Sequence, residues 1–240
     1  MNRRSFLQST ALAGGGFMLH FSVLATGKSK SAQAANVLTE LNGFVKITSD
    51  NIIQIMSPNP EAGQGVKTSM PMIVAEELDV DFKKIQVIQA DLDTKHFTRQ
   101  FIGGSQAIHS GWNALRNAGA TARQLLRQAA AEQWQVPVDE ITTDKGVLLH
   151  QKSGKKATYG ELADLASKLE VPKNVPLKSV KDFNIIGHSQ QNVDIKKIVT
   201  GQPLYGIDTH KPGMLHAMIV HPPAFGLTLK SFDATPIKIG

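Results

Sequence analysis

Apolar and polar residues change period several times along the chain, and each change predicts an element. Two β-rich runs, 44–47 and 52–56, flank Ser49-Asp50-Asn51 and predict a hairpin, which Pro58-Asn59-Pro60 brings to an end. After Gly63-Gln64-Gly65, the residues Met70, Ile73, Val74, Glu77 and Leu78 recur at helical spacing, with Pro71 expected in the first turn. Ile85, Val87 and Ala90 read as a further strand. The clearest helix is expected from an N-cap at Ser110 to about Gln133. Its stripe of Leu115, Ala118, Gly119, Ala122, Leu125, Leu126, Ala129 and Ala130 is small enough for close packing.

Residues 140–158 alternate like a meander, with turns at Asp144-Lys145-Gly146 and Ser153-Gly154-Lys155. Thr158-Tyr159-Gly160-Glu161 is a capping box that opens a short helix to about Leu169. The stretch 172–184, with Pro172 and Pro176, reads as a linker. A second unit over 185–240 is expected to hold strands near 195–199 and 214–220. Strands and helices mixed without regular βαβ alternation predict the α+β class.

The first 34 residues have a different character. They contain Arg3, Arg4, Lys28 and Lys30 but no acidic residue. Arg3-Arg4-Ser5-Phe6-Leu7 precedes a mildly apolar run broken by Gly14-Gly15-Gly16, and Ala32-Gln33-Ala34 follows as a small-x-small site. This order predicts an export signal of the twin-arginine class, with cleavage after Ala34, and hence a periplasmic or exported protein. The run is too short and glycine-rich for a lasting membrane span.

Composition then narrows the chemistry. The chain has 240 residues, 41% of them hydrophobic and 19% charged, which is globular. Its formal charge of +6 invites a nucleic-acid reading, but removing residues 1–34 leaves only +2, and aromatic residues are not interleaved with the basic ones. Nucleic acid is therefore not an expected partner. With no cysteine, the chain cannot ligate iron–sulfur clusters or use a thiol nucleophile. The scattered histidines show no metal-ligand spacing, and neither a P-loop nor a Gly-x-Ser-x-Gly elbow is present.

Two glycine-rich turns remain. Glu61-Ala62-Gly63-Gln64-Gly65 lets a backbone approach a ligand closely and offers the Gln64 carboxamide as donor and acceptor. The helix that follows would present N–H groups to an anion such as phosphate. Gly103-Gly104-Ser105 precedes the long helix in the same way. For either turn alone, a tight bend with no ligand is the commoner explanation. Arg116, Arg123 and Arg127 share one helix face, which reads as a solvated side rather than a binding stripe.

Taken together, the segments resemble one family. Glu61-Ala62-Gly63-Gln64-Gly65-Val66, Thr68, and Ile73-Val74-Ala75-Glu76-Glu77-Leu78 look like a run found in molybdenum hydroxylase large subunits of the xanthine dehydrogenase and aldehyde oxidase family. Gly103-Gly104-Ser105, Leu115-Arg116, Ala118-Gly119-Ala120 and Trp134 continue the match, which is best with the isoquinoline 1-oxidoreductase β-subunit type. Leu177-Lys178, Asp182-Phe183, Ile186-Gly187, Asp194, Lys197, Gly201 and 205–208 look like the entry to that family's α/β-hammerhead domain.

The resemblance implies a molybdopterin-binding-type α+β domain over 35–171, a linker over 172–184 and the beginning of a hammerhead over 185–240. It implies a molybdopterin cytosine dinucleotide cofactor approached by Gly63, Gln64, Gly65, Gly104 and Ser105, with Gln64 hydrogen-bonded to it. The implied reaction is hydroxylation of N-heteroaromatics or aldehydes with oxygen from water. Electrons would pass to a separate iron–sulfur small subunit. Large subunits of this family are several times longer, so the chain is expected to be an N-terminal portion that needs the remaining domains. No catalytic residue and no metal ligand is assigned within it, and Glu61, Glu76 and Glu77 are not taken as the family's base. The rival expectation is a non-catalytic exported binding module or a remnant fragment lacking activity.

Overall fold

The computed structural model describes the backbone of residues 7–12, 16–23 and 39–41, and the backbone and side chains of residues 44–93, 97 and 99–235. Arg3, Arg4, Phe6 and the cleavage point at Ala34 lie outside the described residues, whereas Leu7 and much of the apolar run of the expected export signal fall in described strands of the main sheet.

The main sheet begins with backbone strands β1 (Leu7–Leu12), β2 (Gly16–Val23) and β3 (Thr39–Leu41), and continues through β4 (Val45–Thr48) and β5 (Ile53–Ser57) to β6 (Gln86–Gln89). Its order is β1-β2-β4-β5-β6, with β3 paired to β2. The β4–β5 hairpin forms around the expected turn, with Val45 opposite Ile55 and Ile47 opposite Ile53, and Asn51 takes the left-handed conformation there. Val45, Ile47, Ile53 and Ile55 are buried, so one face of this hairpin supplies the core. β6 runs parallel to β5, and such a pair needs a crossover, which helix α1 (Val66–Leu78) provides.

α1 is buried on nearly every side, in keeping with its apolar run from Met70 to Ala75. It starts at Val66, so Pro71 lies in the second turn rather than the first and removes one ladder hydrogen bond. Helix α2 (Gln106–Trp134) starts earlier than expected: its N-cap is Ser105, in the left-handed region and without a side-chain cap, not Ser110. The predicted small-residue stripe is buried throughout. A Cβ on Gly119 would stand 2.3 Å from the Val74 carbonyl oxygen and 2.9 Å from Glu77 Cβ, so α2 lies directly against α1 there. A Cβ on Gly111 would meet Met70 Cε at 3.4 Å. Contact positions advance together along both helices, so α1 and α2 run parallel.

The meander forms as β7 (Ile141–Asp144), β8 (Val147–His150) and β9 (Lys155–Thr158), all antiparallel. It leads into α3 (Tyr159–Ser167) through the capping box: Glu161 accepts from Thr158 N–H at 2.6 Å, and Thr158 Oγ1 accepts from Glu161 N–H at 3.4 Å. The Tyr159 hydroxyl donates to the Leu78 carbonyl at 2.8 Å, and full burial pushes its pKa well above the ordinary tyrosine range. Helices packed on a largely antiparallel sheet make the fold α+β.

The contacts divide the chain into Met1–Ile195 and Lys196–Gly240. Within the first unit, residues 177–186 lie along the C-terminal end of α1. The Glu76 carboxylate is fully buried and accepts from the N–H groups of Asn184, Ile185 and Ile186 at 3.0, 2.6 and 3.0 Å. Lys178 Nζ donates to Glu76 at 3.2 Å and to Asp79 at 2.8 Å. The stretch expected as a linker is thus strapped to a core helix. The arginine face is also corrected. Arg116 pairs with buried Glu77 at 2.6 Å, Arg123 approaches the same carboxylate at 3.8 Å, and Arg127 donates to the carbonyls of Val138 and Ile141.

Residues 195–199 form a short helix, α4 (Ile195–Val199), instead of a strand. Ile195, Ile198 and Val199 stand at i, i+3 and i+4, a spacing that a single helical turn satisfies equally well. Residues 214–220 carry no ladder among the described residues, and Met218 and Val220 are 94% and 93% exposed. In this second unit Asp208 accepts from the N–H groups of Tyr205 and Leu204, which hold its carboxyl below the usual range.

Candidate functional site

Because α1 and α2 are parallel, their N-termini and the two glycine-rich turns before them lie at one end of the helix pair. Side chains stitch the segments there. Asn59 Nδ2 donates to the Phe101 carbonyl at 3.1 Å, and Gln100 Nε2 donates to the Pro58 carbonyl at 3.0 Å. Gln89 Nε2 holds the exit of β5 by donating to the carbonyls of Ser57 and Asn59 at 3.0 and 2.9 Å. A cavity of about 80 Å³ lies among these elements, lined by Phe44, Met70, Phe97, Leu115 and, on its polar side, Asn59 and Arg99.

Gly63 and Gly65 have φ of 101° and 79°, where a side chain would be strained, and no atom lies within 4 Å of the place a Cβ would take. The loop is therefore open on that side to an approaching group. Gln64 is exposed, and its carboxamide is tied to its own loop. Oε1 accepts from Ala62 N–H at 2.7 Å, and Nε2 donates to the Pro60 carbonyl at 2.9 Å. A carboxamide has two N–H donors and two acceptor lone pairs, so one of each remains for a ligand.

The expectation of free amides for an anion at the start of α1 is overturned. Glu61 Oε1 accepts from Gly63 N–H at 2.8 Å and Gly65 N–H at 2.9 Å, while Oε2 accepts from Lys67 N–H at 2.9 Å. The anion at this helix terminus is the chain's own carboxylate, which the positive end of the helix favours. Gly104 and Ser105, with φ of 61° and 53°, are exposed at the start of α2, and Ser105 makes no side-chain cap. All five expected site residues thus lie at one end of the helix pair. Glu61, Asn59 and Gln100 were not foreseen in these roles. Only Glu61 left a trace in the sequence, as an acidic residue just ahead of a helix.

Glu76 and Glu77 are remote from this end and engaged in the strap, which accounts for them structurally. Among the described residues no three His, Asp or Glu side chains are gathered to hold a metal ion, and no helix is long and apolar enough to cross a membrane. His150 is buried between Glu140 and Ser153, at 2.9 and 2.7 Å.

Residues 6–201 match the molybdopterin cofactor-binding domain family. The chain belongs to that family. As a molybdopterin cofactor-binding domain it is 32% identical to the beta chain of isoquinoline 1-oxidoreductase from Brevundimonas diminuta, across 87% of this chain and 32% of that protein. It is 29% identical to a component of nicotinate dehydrogenase from Pseudomonas putida, across 78% of this chain and 16% of the other. The chain therefore spans a third or less of the length of these relatives. Among solved structures, quinoline 2-oxidoreductase from Pseudomonas putida 86 is similar over 50% of this chain and 15% of that one, at 16% identity and a TM-score of 0.40.

The site's chemistry fits the family's cofactor in a restricted way. Open space over Gly63 and Gly65, and the spare donor and acceptor of Gln64, suit a hydrogen-bonding heterocycle edge. The start of α1, already filled by Glu61, does not suit a phosphate.

Proposed function

We propose that the chain is the N-terminal portion of an exported molybdenum hydroxylase large subunit, contributing the Gln64 loop to the site of a molybdopterin cytosine dinucleotide. The observation that carries this reading is the exposed Gln64 carboxamide, fixed by its own loop between two open glycines and left with one donor and one acceptor. Gln64 would hold the pterin edge, Gly63 and Gly65 would admit it, and Gly104 and Ser105 would border it at the start of α2. When bound, the cofactor would supply hydroxylation of an electron-poor carbon of an N-heteroaromatic or aldehyde, with water as oxygen source and electrons leaving to an iron–sulfur small subunit.

This chain's own part is binding and orientation. Glu61 is committed to three backbone amides and is not assigned as a base. The remaining large-subunit domains, the small subunit and the small-molecule substrate complete the assembly. The absence of cysteine agrees with clusters carried on a partner. The first 34 residues would direct export by the twin-arginine route, which carries folded proteins.

The test is co-expression of the chain with the remaining domains and the small subunit, followed by assay of bound molybdenum, pterin and cytidine nucleotide. The assembly is expected to carry all three, and Gln64→Ala to lose most of the pterin while the chain stays folded. An assembly free of molybdenum and pterin overturns the reading in favour of a binding module. Arg3→Lys with Arg4→Lys is expected to retain the protein in the cytoplasm, and unimpaired export would refute the signal.

A further inference from the structure

The Gln64 loop is not held by the packing of its own side chains. Ala62, Gly63 and Gln64 are exposed, and the glycines at 63 and 65 leave the backbone intrinsically free. Two of its own polar side chains restrain it, Glu61 and Gln64. Glu61 collects the N–H groups of Gly63, Gly65 and Lys67 within 2.8–2.9 Å, so both of its oxygens span the loop from its first residue to the first turn of α1. The Gln64 carboxamide closes the same ring from the other side through Ala62 and Pro60.

We infer that Glu61 is a positioning residue: its carboxylate takes the anion place at the start of α1 and so sets the loop conformation that presents Gln64. This rests on the reading of Gln64 as a cofactor contact and adds to it the group that acts through Gln64.

The requirement is specific to a carboxylate. All three partners are donors, and an ionised carboxyl offers acceptors on both oxygens, whereas a carboxamide accepts on only one. In Glu61→Gln the amide nitrogen would face an N–H in place of one oxygen, and the loop would lose its grip at Lys67 or at both glycines. Bonds to a charged acceptor are about twice as strong as neutral ones, so the charge matters as well as the shape. The same occupancy has a consequence for specificity. A ligand phosphate brought to Gly63 and Gly65 would meet a fixed negative charge, so the loop selects a neutral hydrogen-bonding edge.

Two measurements on the full chain and its assembly test the inference. In the full chain, amide exchange at Gly63, Gly65 and Lys67 is expected to speed up by about tenfold or more in Glu61→Gln, with β4, β5 and the rest of α1 unchanged. Unchanged protection at those three amides would overturn the inference, whatever the cofactor does. In the assembly, the rate of pterin release is compared for Glu61→Gln, Gln64→Ala and the double variant. If Glu61 acts through Gln64, the double variant releases pterin no faster than Gln64→Ala alone. Multiplying effects would mean that Glu61 merely supports the fold, and would sink the inference. If even the unaltered assembly lacks pterin, the cofactor reading fails, and with it Glu61's role in presenting Gln64, while the exchange data still report whether Glu61 holds the loop.

Discussion

The two ends of α1 use the same contact, a glutamate accepting from backbone N–H groups, in opposite surroundings. At the C-terminal end, fully buried Glu76 takes the amides of Asn184, Ile185 and Ile186 and the ammonium of Lys178, while neighbouring Glu77 takes Arg116. At the N-terminal end, Glu61 takes the amides of Gly63, Gly65 and Lys67 in a loop whose tip is exposed. Burial makes the first set important to the fold, because the Glu76 carboxylate is fully buried and needs its donors, and the Ile185 N–H it accepts from is buried with it. In the second set water can replace the carboxylate, so the contact shapes a loop more than it stabilises a domain. A helix built this way is fixed firmly at one end and presents an adjustable surface at the other, which suits a ligand-facing turn carried on a rigid element.

The largest expected effect breaks the buried end. Glu76→Ala leaves three amides without their acceptor and the Lys178 ammonium with Asp79 alone, and is expected to destabilise the protein by about 3–5 kcal/mol. Denaturant unfolding would register the loss, and limited proteolysis should show new cleavage at Lys178 or Lys181. A cost below about 1 kcal/mol would erase the contrast between the two ends. Next comes Gly119→Ala, at the point where α2 meets α1. The higher helix propensity of alanine favours it by about 1 kcal/mol. The new methyl would stand 2.3 Å from the Val74 carbonyl, however, and neither backbone can yield cheaply. A net loss of about 1–3 kcal/mol is expected by thermal unfolding. A gain instead would show that the helix pair is looser than its geometry.

These two positions also show what could be read in advance. The β4–β5 hairpin, the meander and the α3 capping box were legible because their signals are local, within two to four residues. The α2 stripe was legible because burial repeats with the helical period. The role of Glu76 was not, since its amide partners lie 108 to 110 residues away and nothing near Ala75-Glu76-Glu77-Leu78 announces them. Arg116, Arg123 and Arg127 misled for the same reason: three cations on one helix face look solvated until Glu77 and the Val138–Ile141 carbonyls are placed beneath them. Ile195–Val199 failed through ambiguity, its short apolar run fitting a strand or one helical turn. At the candidate site, the glycine turns were legible as tight bends, with positive φ at Gly63, Gly65 and Gly104. The occupant of the α1 terminus escaped notice because a helix start alone does not reveal that its anion comes from within the chain.

The smallest effects calibrate the exposed end, and the α3 capping box supplies them free of any ligand. Thr158→Ala removes a side chain that accepts from Glu161 N–H and is expected to cost about 1 kcal/mol. The Glu161 carboxylate accepts from the Thr158 backbone N–H and hydroxyl, and these bonds hold its pKa below the ordinary glutamate value. A group whose pKa is depressed by folding stabilises the folded state when ionised. Its contribution is therefore complete above the ordinary glutamate range and is lost as pH falls through the lower, folded-state value. Melting curves for the unaltered chain and Glu161→Gln should accordingly differ at neutral pH and converge under acid conditions. A gap that persists at acid pH would assign the effect to side-chain packing rather than to the carboxylate. In that case Glu61, whose hold on its loop uses the same chemistry, would have to be compared with Glu61→Asp rather than Glu61→Gln.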